Sequence, residues 1–296
     1  MEPIPRRAHA KINVFLRVLG RRDEGFHDLE TLVLPVSLHD DVVVRSGVGG
    51  EVVCHVTGEG SLATAVADLP GENLVVRAAG ELARTAFGTR EPDLGALIDL
   101  HKRIPVAAGL GGGSADAAAT LLALRELWGC TLSDPELSRV GATIGSDVPA
   151  MLACEPVLAY GRGERLTSVH ALTTWWVVKP SGFPVSAADA YAWWDERPAT
   201  GPDAGALIAA LETGRLELLG SALFNDLQGP VTSRHPEITD TIAAFLDAGA
   251  LGAVMSGSGP TVAALARDVG HADRLASAVP GSLVVSAPPT ATGAPR

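Results

Sequence analysis

Residues 105–119 read Pro-Val-Ala-Ala-Gly-Leu-Gly-Gly-Gly-Ser-Ala-Asp-Ala-Ala-Ala, and no other stretch limits the possible folds as much. Gly109, Gly111, Gly112 and Gly113 remove the Cβ from four of five consecutive positions, leaving the backbone N–H groups unobstructed. A strand is expected before this run, near 95–103. An Ala- and Leu-rich helix is expected after it, capped by Ser114 and reaching about Trp128. A glycine turn that opens into a helix N-terminus presents orphan N–H donors and partial positive charge, which suits a di- or triphosphate. The two commoner phosphate loops do not fit. A Walker A loop needs Gly-Lys-Ser/Thr, and GxGxxG fails because Gly109-x-Gly111-x-x ends on Ser114. Taken alone, the run is also compatible with a plain strand-to-helix turn.

The rest of the chain alternates strands and helices. From 9 to 19, Ile12, Val14, Leu16 and Val18 fall on one face and Lys11, Asn13, Phe15 and Arg17 on the other, the period of a half-buried strand. Further strands are expected at 29–37, 40–46 and 50–57, with helices over 73–87 and 133–143. After Gly161–Gly163 the texture becomes α+β. Strands are expected at 174–179, 251–255, 260–266 and 282–286, and helices near 187–195, 204–212, 236–248 and 269–278. These divide the chain into an N-terminal domain over 1–160, a C-terminal domain over 161–286 and a disordered tail over 287–296.

Composition narrows the function classes. The 296 residues carry a formal net charge of −11, which argues against a nucleic-acid binder needing a basic stripe for phosphates. Only Lys11, Lys102 and Lys179 are lysines, against twenty arginines, so a lysine inside a patterned segment stands out. Cys54, Cys130 and Cys154 are scattered without a CxxC pair, as in a reduced intracellular protein. No signal peptide and no apolar run of about 18 residues is seen, so a soluble cytoplasmic protein without a membrane partner is expected.

The loop Pro105–Ala119 resembles the ATP loop of the GHMP kinases, a family that includes galactokinase, homoserine kinase and mevalonate kinase. Two further motifs fall in the family's order: Ala10-Lys11-Ile12-Asn13 resembles its first, and Ser256-Gly257-Ser258-Gly259-Pro260 its third, glycine-rich one. The resemblance implies an α+β, two-domain fold: an N-terminal ribosomal-protein-S5-like α/β domain and a C-terminal ferredoxin-like α+β domain. It also implies ATP with Mg²⁺. Pro105, Ala107, Gly109, Leu110, Gly111, Gly112, Gly113 and Ser114 would lie around the nucleotide, and the Ser114 hydroxyl is a candidate metal ligand.

Other segments are similar to the members of that family that act on a cytidyl-methylerythritol. Gly25-Phe26-His27 resembles their cytosine-reading step, with Phe26 where tyrosine is usual, which keeps a stacking face and loses a hydroxyl. Tyr191, in Val185–Tyr191, would be the second aromatic wall, facing Phe26 across the base; Ala187 departs from the usual threonine there. Gly145-Ser146-Asp147-Val148-Pro149 matches the segment carrying their catalytic aspartate, so Asp147 would take or orient the acceptor's proton. Lys11 would offset charge on the transferring phosphoryl group. Asn13, Gly257 and Ser258 would contact the acceptor, and Phe224–Leu227 would brace the second domain. Without that resemblance Asp147 reads as a helix N-cap, His27 as a surface histidine and Tyr191 as core packing with Trp193 and Trp194.

The resemblance thus implies ATP-dependent phosphorylation of the 2-hydroxyl of a small cytidine-diphosphate-linked methylerythritol, in the non-mevalonate route to isoprenoids. Monomer and homodimer are both compatible with the sequence. Two alternatives stay open: another GHMP kinase of the mevalonate or homoserine type, and a non-catalytic homologue that senses a ligand.

Overall fold

The computed structural model describes residues 2–59, 62–67, 73–88 and 94–288; the tail expected over 287–296 therefore lies, from 289 onward, outside the described residues. In chain order the elements begin with β1 (Ile4–Arg21), β2 (His27–Ser46), β3 (Val52–Gly58), α1 (Leu62–Ala67), α2 (Leu74–Phe87), β4 (Ala96–Lys102) and α3 (Gly112–Leu127). They continue with α4 (Asp134–Ile144), α5 (Val148–Ala153), β5 (Val157–Gly161), β6 (Arg165–Ser168), β7 (Thr174–Lys179), α6 (Ala187–Asp195) and α7 (Gly205–Thr213). The last are α8 (Leu216–Ser221), β8 (Phe224–Asn225), α9 (Gln228–Thr232), α10 (Pro236–Asp247), β9 (Gly252–Met255), β10 (Val262–Ala266), α11 (Val269–Ala278) and β11 (Leu283–Ala287). Among the described residues no helix is long and apolar enough to cross a membrane.

Two compact units result. The first comprises Met1–Ala10, Leu38–Val106 and Gly111–Cys154, the second Lys11–Ser37, Ala107–Leu110 and Glu155–Arg296. Strands β1 and β2 contribute residues to both.

In the first unit the second half of β2 pairs antiparallel with β4, in the register Asp41↔His101 to Ser46↔Ala96, and β3 adds parallel to β4. Helix α2 buries Val75, Ala78, Ala79 and Leu82, the i, i+3, i+4, i+7 stripe of an amphipathic helix. It packs on α3, which is Ala-rich and buried around most of its circumference (Ala115, Ala117, Ala118, Ala119, Leu121, Leu124). Helix α4 starts with a capping box between Ser133 and Glu136.

In the second unit the first half of β2 pairs antiparallel with β5, from Leu29↔Gly161 to Val33↔Val157, and β6 follows β5. A four-stranded sheet runs β11-β7-β10-β9. Its core gathers Val177, Trp194, Leu227, Ile238, Phe245, Met255 and Val262. Phe245 is fully buried, and burying a side chain of that size contributes about 1.5–3 kcal/mol.

Two expectations change. The segments 29–37 and 40–46 form the single strand β2, because the polar residues that seemed to interrupt them are satisfied inside: Ser37 Oγ, for instance, accepts the N–H of Ser286 at 3.0 Å. The polar face of β1 is not solvent-facing either, since Lys11 and Asn13 are both buried.

A buried ionic cluster connects the segments that flank the glycine loop. Lys102, the last residue of β4, pairs with Asp40 of β2 and with Asp116 in the first turns of α3 (2.6 Å to Asp116 Oδ2). Asp40 Oδ1 also accepts the N–H groups of Arg103 (2.5 Å) and Ile104 (2.8 Å), where the chain leaves β4. Two carboxylates thus share one ammonium, and Asp116 Oδ1 is buried without a hydrogen-bond partner. Desolvation, only partly opposed by Lys102, pushes the Asp116 carboxyl up to about 8. A carboxyl whose native pKa exceeds its unfolded value holds its proton more tightly when folded. Its stabilisation is full below the unfolded value and is lost as pH rises toward 8. Urea unfolding of the wild type between pH 5 and pH 9 should therefore show a midpoint that falls with pH. In Asp116→Asn, which cannot titrate, that fall should be markedly smaller.

Candidate active site

The second unit holds the first and third motifs. Lys11 and Asn13 are two residues apart on β1 and so share a face. The Lys11 ammonium donates to Asn13 Oδ1 at 2.6 Å and to the carbonyl of Gly109 at 2.9 Å, and its backbone N–H donates to Leu110 O at 2.9 Å. Asn13 Nδ2 donates to Thr31 Oγ1 (2.9 Å), whose hydroxyl donates to Phe15 O (2.7 Å). These partners set the direction of the Asn13 amide, with its oxygen toward Lys11. The Asn13 backbone N–H donates to Ser256 Oγ at 2.9 Å.

Residues Ser256–Pro260 form a tight turn, closed by Ser256 N–H to Thr261 O (2.9 Å) and Gly259 N–H to Ser256 O (3.0 Å). Gly257 has φ +60°, and a Cβ there would stand 2.9 Å from Asn13 Oδ1 and 3.4 Å from Lys11 Nζ. Gly109, at φ +78°, approaches so closely that a Cβ would meet Gly259 O at 2.5 Å. Glycine is required at both positions, by backbone conformation and by space. Thr261 Oγ1 completes the contact by donating to Ala108 O at 2.5 Å. Ser258 is half-buried at the tip of the turn. Leu110 is fully buried, so its part in any nucleotide contact is through its backbone. Ala107 is exposed with φ +55°, a conformation costing an alanine about 1–2 kcal/mol.

The aromatic residues of this unit form a second cluster. His27 Nε2 lies 2.8 Å from Asp195 Oδ1; its ring stacks on Tyr191 (centroids 4.8 Å apart, planes at 17°) and takes an edge contact from Trp194 at 5.8 Å. Asp195 also binds Arg21 at 3.2 Å. Tyr191 was expected to face Phe26; the ring stacked on it is that of His27. Phe26 is 48% exposed, with the Arg162 guanidinium 3.6 Å above its ring. Asp195 and Arg162 went unnoticed in the sequence, where charged residues so far from Phe26 and His27 carry no signal.

The first unit holds the glycine helix start and Asp147. Helix α3 begins at Gly112, with Gly111 as its N-cap at φ +70°, and no side chain caps it. Ser114 is therefore not the cap: the left-handed glycine opens the helix two residues earlier and leaves the Ser114 hydroxyl available for another partner. The half-buried Gly112 and Ser114 and the exposed Gly113, with Pro105 half-buried before them, present the N–H groups of the first helical turn, which have no i−4 partner. Beneath it, a Cβ on Gly112 would lie 3.0 Å from Ile104 and 3.5 Å from Lys102 Nζ. Lys102 was the missed residue here; its rarity and its position directly before the loop were the available signal.

Asp147 occupies the N-cap position of α5, the alternative expected for it, yet its carboxylate makes no capping bond. The backbone carbonyl of Asp147 accepts the N–H of Met151 (3.1 Å) instead. Among the described residues no three His, Cys, Asp or Glu side chains cluster as a cation cage. Glu126, on α3, is engaged by Arg6.

The chain matches known proteins over nearly its whole length. Residues 73–155 match the GHMP kinases N terminal domain and residues 207–284 the GHMP kinases C terminal domain. The chain is 44% identical over 263 residues to the 4-diphosphocytidyl-2-C-methyl-D-erythritol kinase of Symbiobacterium thermophilum, covering 88% of this chain and 89% of that protein. It is 42% identical over 277 residues to the kinase of the same name from Pelotomaculum thermopropionicum, covering 91% of each. The crystal structure of a 4-(cytidine 5'-diphospho)-2C-methyl-D-erythritol kinase superposes with a TM-score of 0.78 at 33% identity, covering 96% of this chain and 99% of that one. With two family domains in order, relatives of one name along nearly its whole length and the same fold, the chain belongs to the GHMP kinases, in the family of the 4-diphosphocytidyl-2-C-methyl-D-erythritol kinases.

Proposed function

We propose that this kinase transfers the γ-phosphoryl group of ATP to the 2-hydroxyl of 4-diphosphocytidyl-2-C-methyl-D-erythritol, giving the 2-phosphate and ADP in the non-mevalonate route to isoprenoid precursors. The observation that carries the reading is the buried Lys11 ammonium, bonded to Asn13 Oδ1 and to the carbonyl of Gly109 in the glycine loop. The acceptor's identity is supported by the relatives that share the name.

Phosphoryl transfer asks for positioning and charge stabilisation rather than covalent help from the protein. The loop 105–114 receives the triphosphate through its backbone N–H groups and the α3 N-terminus. The Ser114 hydroxyl would hold Mg²⁺, which when bound would neutralise phosphate charge. Asp147 accepts the proton of the 2-hydroxyl as the new O–P bond forms and the bond from the γ-phosphorus to the bridging oxygen breaks, releasing ADP. Lys11 offsets the charge on the transferring group, and Asn13 holds Lys11 in place. Gly257 and Ser258 line the acceptor. Phe26 and Tyr191 supply aromatic surface for the cytosine, with His27 at the base edge. Mevalonate or homoserine as the acceptor would leave Phe26, His27 and Tyr191 without a ligand.

The purified protein, given ATP and Mg²⁺ with the cytidyl substrate, mevalonate or homoserine, should release ADP with the first alone. No turnover of the cytidyl substrate would refute the assignment, and would favour a ligand-sensing homologue if nucleotide still binds. Asp147→Asn should lower kcat by about 10²–10⁴-fold with ATP binding retained, as measured by nucleotide titration. Phe26→Ala should raise the KM for the cytidyl substrate by about tenfold, within the range for one base–aromatic stack, and leave the KM for ATP nearly unchanged.

A further inference from the structure

Asn225 has no part in the chemistry above, and its segment was expected only to brace the second domain. Its side chain is buried at 7% exposure and engaged on both ends of the amide. Asn225 Nδ2 donates to Met255 O at 2.6 Å and to Gly257 O at 2.8 Å, while Oδ1 accepts the N–H of Leu227 at 2.9 Å. Its backbone lies in β8, paired parallel with β1 through Phe15↔Phe224 and Leu16↔Asn225, on the strand that carries Lys11 and Asn13. One amide thus links the strand pair β1–β8 to the last carbonyl of β9 and to the Gly257 carbonyl within the Ser256–Gly259 turn. That turn is what Asn13 and Lys11 rest against: Ser256 Oγ accepts the Asn13 N–H, and Gly257 leaves no room for a methyl group beside Asn13 Oδ1.

We propose that Asn225 is a positioning residue for phosphoryl transfer, holding the Ser256–Gly259 turn at the depth that aligns Asn13 and Lys11. The inference rests on the reading in which Lys11 and this turn serve the acceptor hydroxyl. Two carbonyls two residues apart, those of Met255 and Gly257, both directed at one buried point, repel each other unless donors lie between them. The amide of Asn225 supplies both N–H groups from a single planar nitrogen. Aspartate has the same shape and no donor, so it would place a carboxylate against two carbonyls. Serine has one donor on a shorter stem. Glutamine is a methylene longer than the spacing permits.

The test compares Asn225→Asp and Asn225→Ser with Gly257→Ala, which disturbs the same turn from the side of Asn13. Each is assayed with saturating ATP and cytidyl substrate, below its own unfolding temperature and with its fold checked by circular dichroism. Asn225→Asp should lower kcat by roughly 10²-fold, the scale of a displacement of about 1 Å remote from the chemistry, with both KM values within about threefold of wild type. Asn225→Ser, keeping one donor, should fall between, and remains informative if the aspartate variant does not fold. Gly257→Ala should reproduce the loss of kcat. If Asn225→Ser and any folded Asn225→Asp keep wild-type kcat and lose only melting temperature while Gly257→Ala is impaired, the inference is overturned and the proposed reaction stands. If Gly257→Ala also keeps wild-type kcat, the turn does not serve the acceptor and the assignment of Gly257 fails with the inference.

Discussion

A buried ammonium cannot be left without oxygen partners, because its desolvation costs far more than any apolar contact returns. Lys11 meets that demand with Asn13 Oδ1 and the carbonyl of Gly109, and much of the second unit follows from it. The carbonyl must be brought within reach, so the chain at 107–110 lies against β1, fixed again by the Lys11 N–H to Leu110 O. The Asn13 amide must present its oxygen, so Nδ2 needs an acceptor, and Thr31 on β2 provides it. The Ser256–Pro260 turn then packs where only glycine leaves space, at Gly257 beside Asn13 and at Gly109 against the Gly259 carbonyl. A functional charge and its supports are thereby one hydrogen-bonded structure.

The first unit solves a different problem with the same chemistry. A glycine loop that is to keep its backbone N–H groups unobstructed must hold a fixed shape while having almost no side chains of its own to pack. Its flanks are held instead. Asp40 takes the N–H groups of Arg103 and Ile104 on the entering side, and Lys102 joins Asp40 to Asp116 on the helix that leaves the loop. The arrangement is not optimised for stability: two buried carboxylates compete for one lysine, and Asp116 keeps one oxygen unpartnered. Replacing a buried ionic group by well-packed apolar residues is often neutral or stabilising, so the cluster is not an argument for a gain in folding free energy.

Much of this was legible in the chain. Strand and helix periods locate most elements within one or two residues, from α2 to β11, because core-facing residues of one sheet face or one helix stripe must recur at period 2 or 3.6. The short elements α1, α8, α9, β5, β6 and β8 were missed, being too brief to show any period. The glycines of 109–113 and 257–259 were visible as tight turns, since a residue tolerating positive φ leaves a compositional mark. Ser114 was misread as a cap because serine before an alanine run is the usual signal, whereas a left-handed Gly111 opens this helix. Asp195, Thr31 and Asn225 gave no sign, as a polar residue's buried partner can lie anywhere in the sequence.

By itself, then, the sequence determined most of the elements, the glycine loop that opens into a helix and, through motifs in a fixed order, the family. Local periodicity and backbone tolerance are properties of neighbouring residues, and the chain states them directly. The tertiary structure alone decided which polar groups meet. It placed Lys11 on the Gly109 carbonyl, put His27 between Asp195 and Tyr191, and set Asn225 beneath the Ser256–Gly259 turn. Those contacts join residues up to 168 positions apart, as in His27 and Asp195. Hydrogen bonds across such separations depend on how whole strands and helices pack, and no local pattern of side chains encodes that.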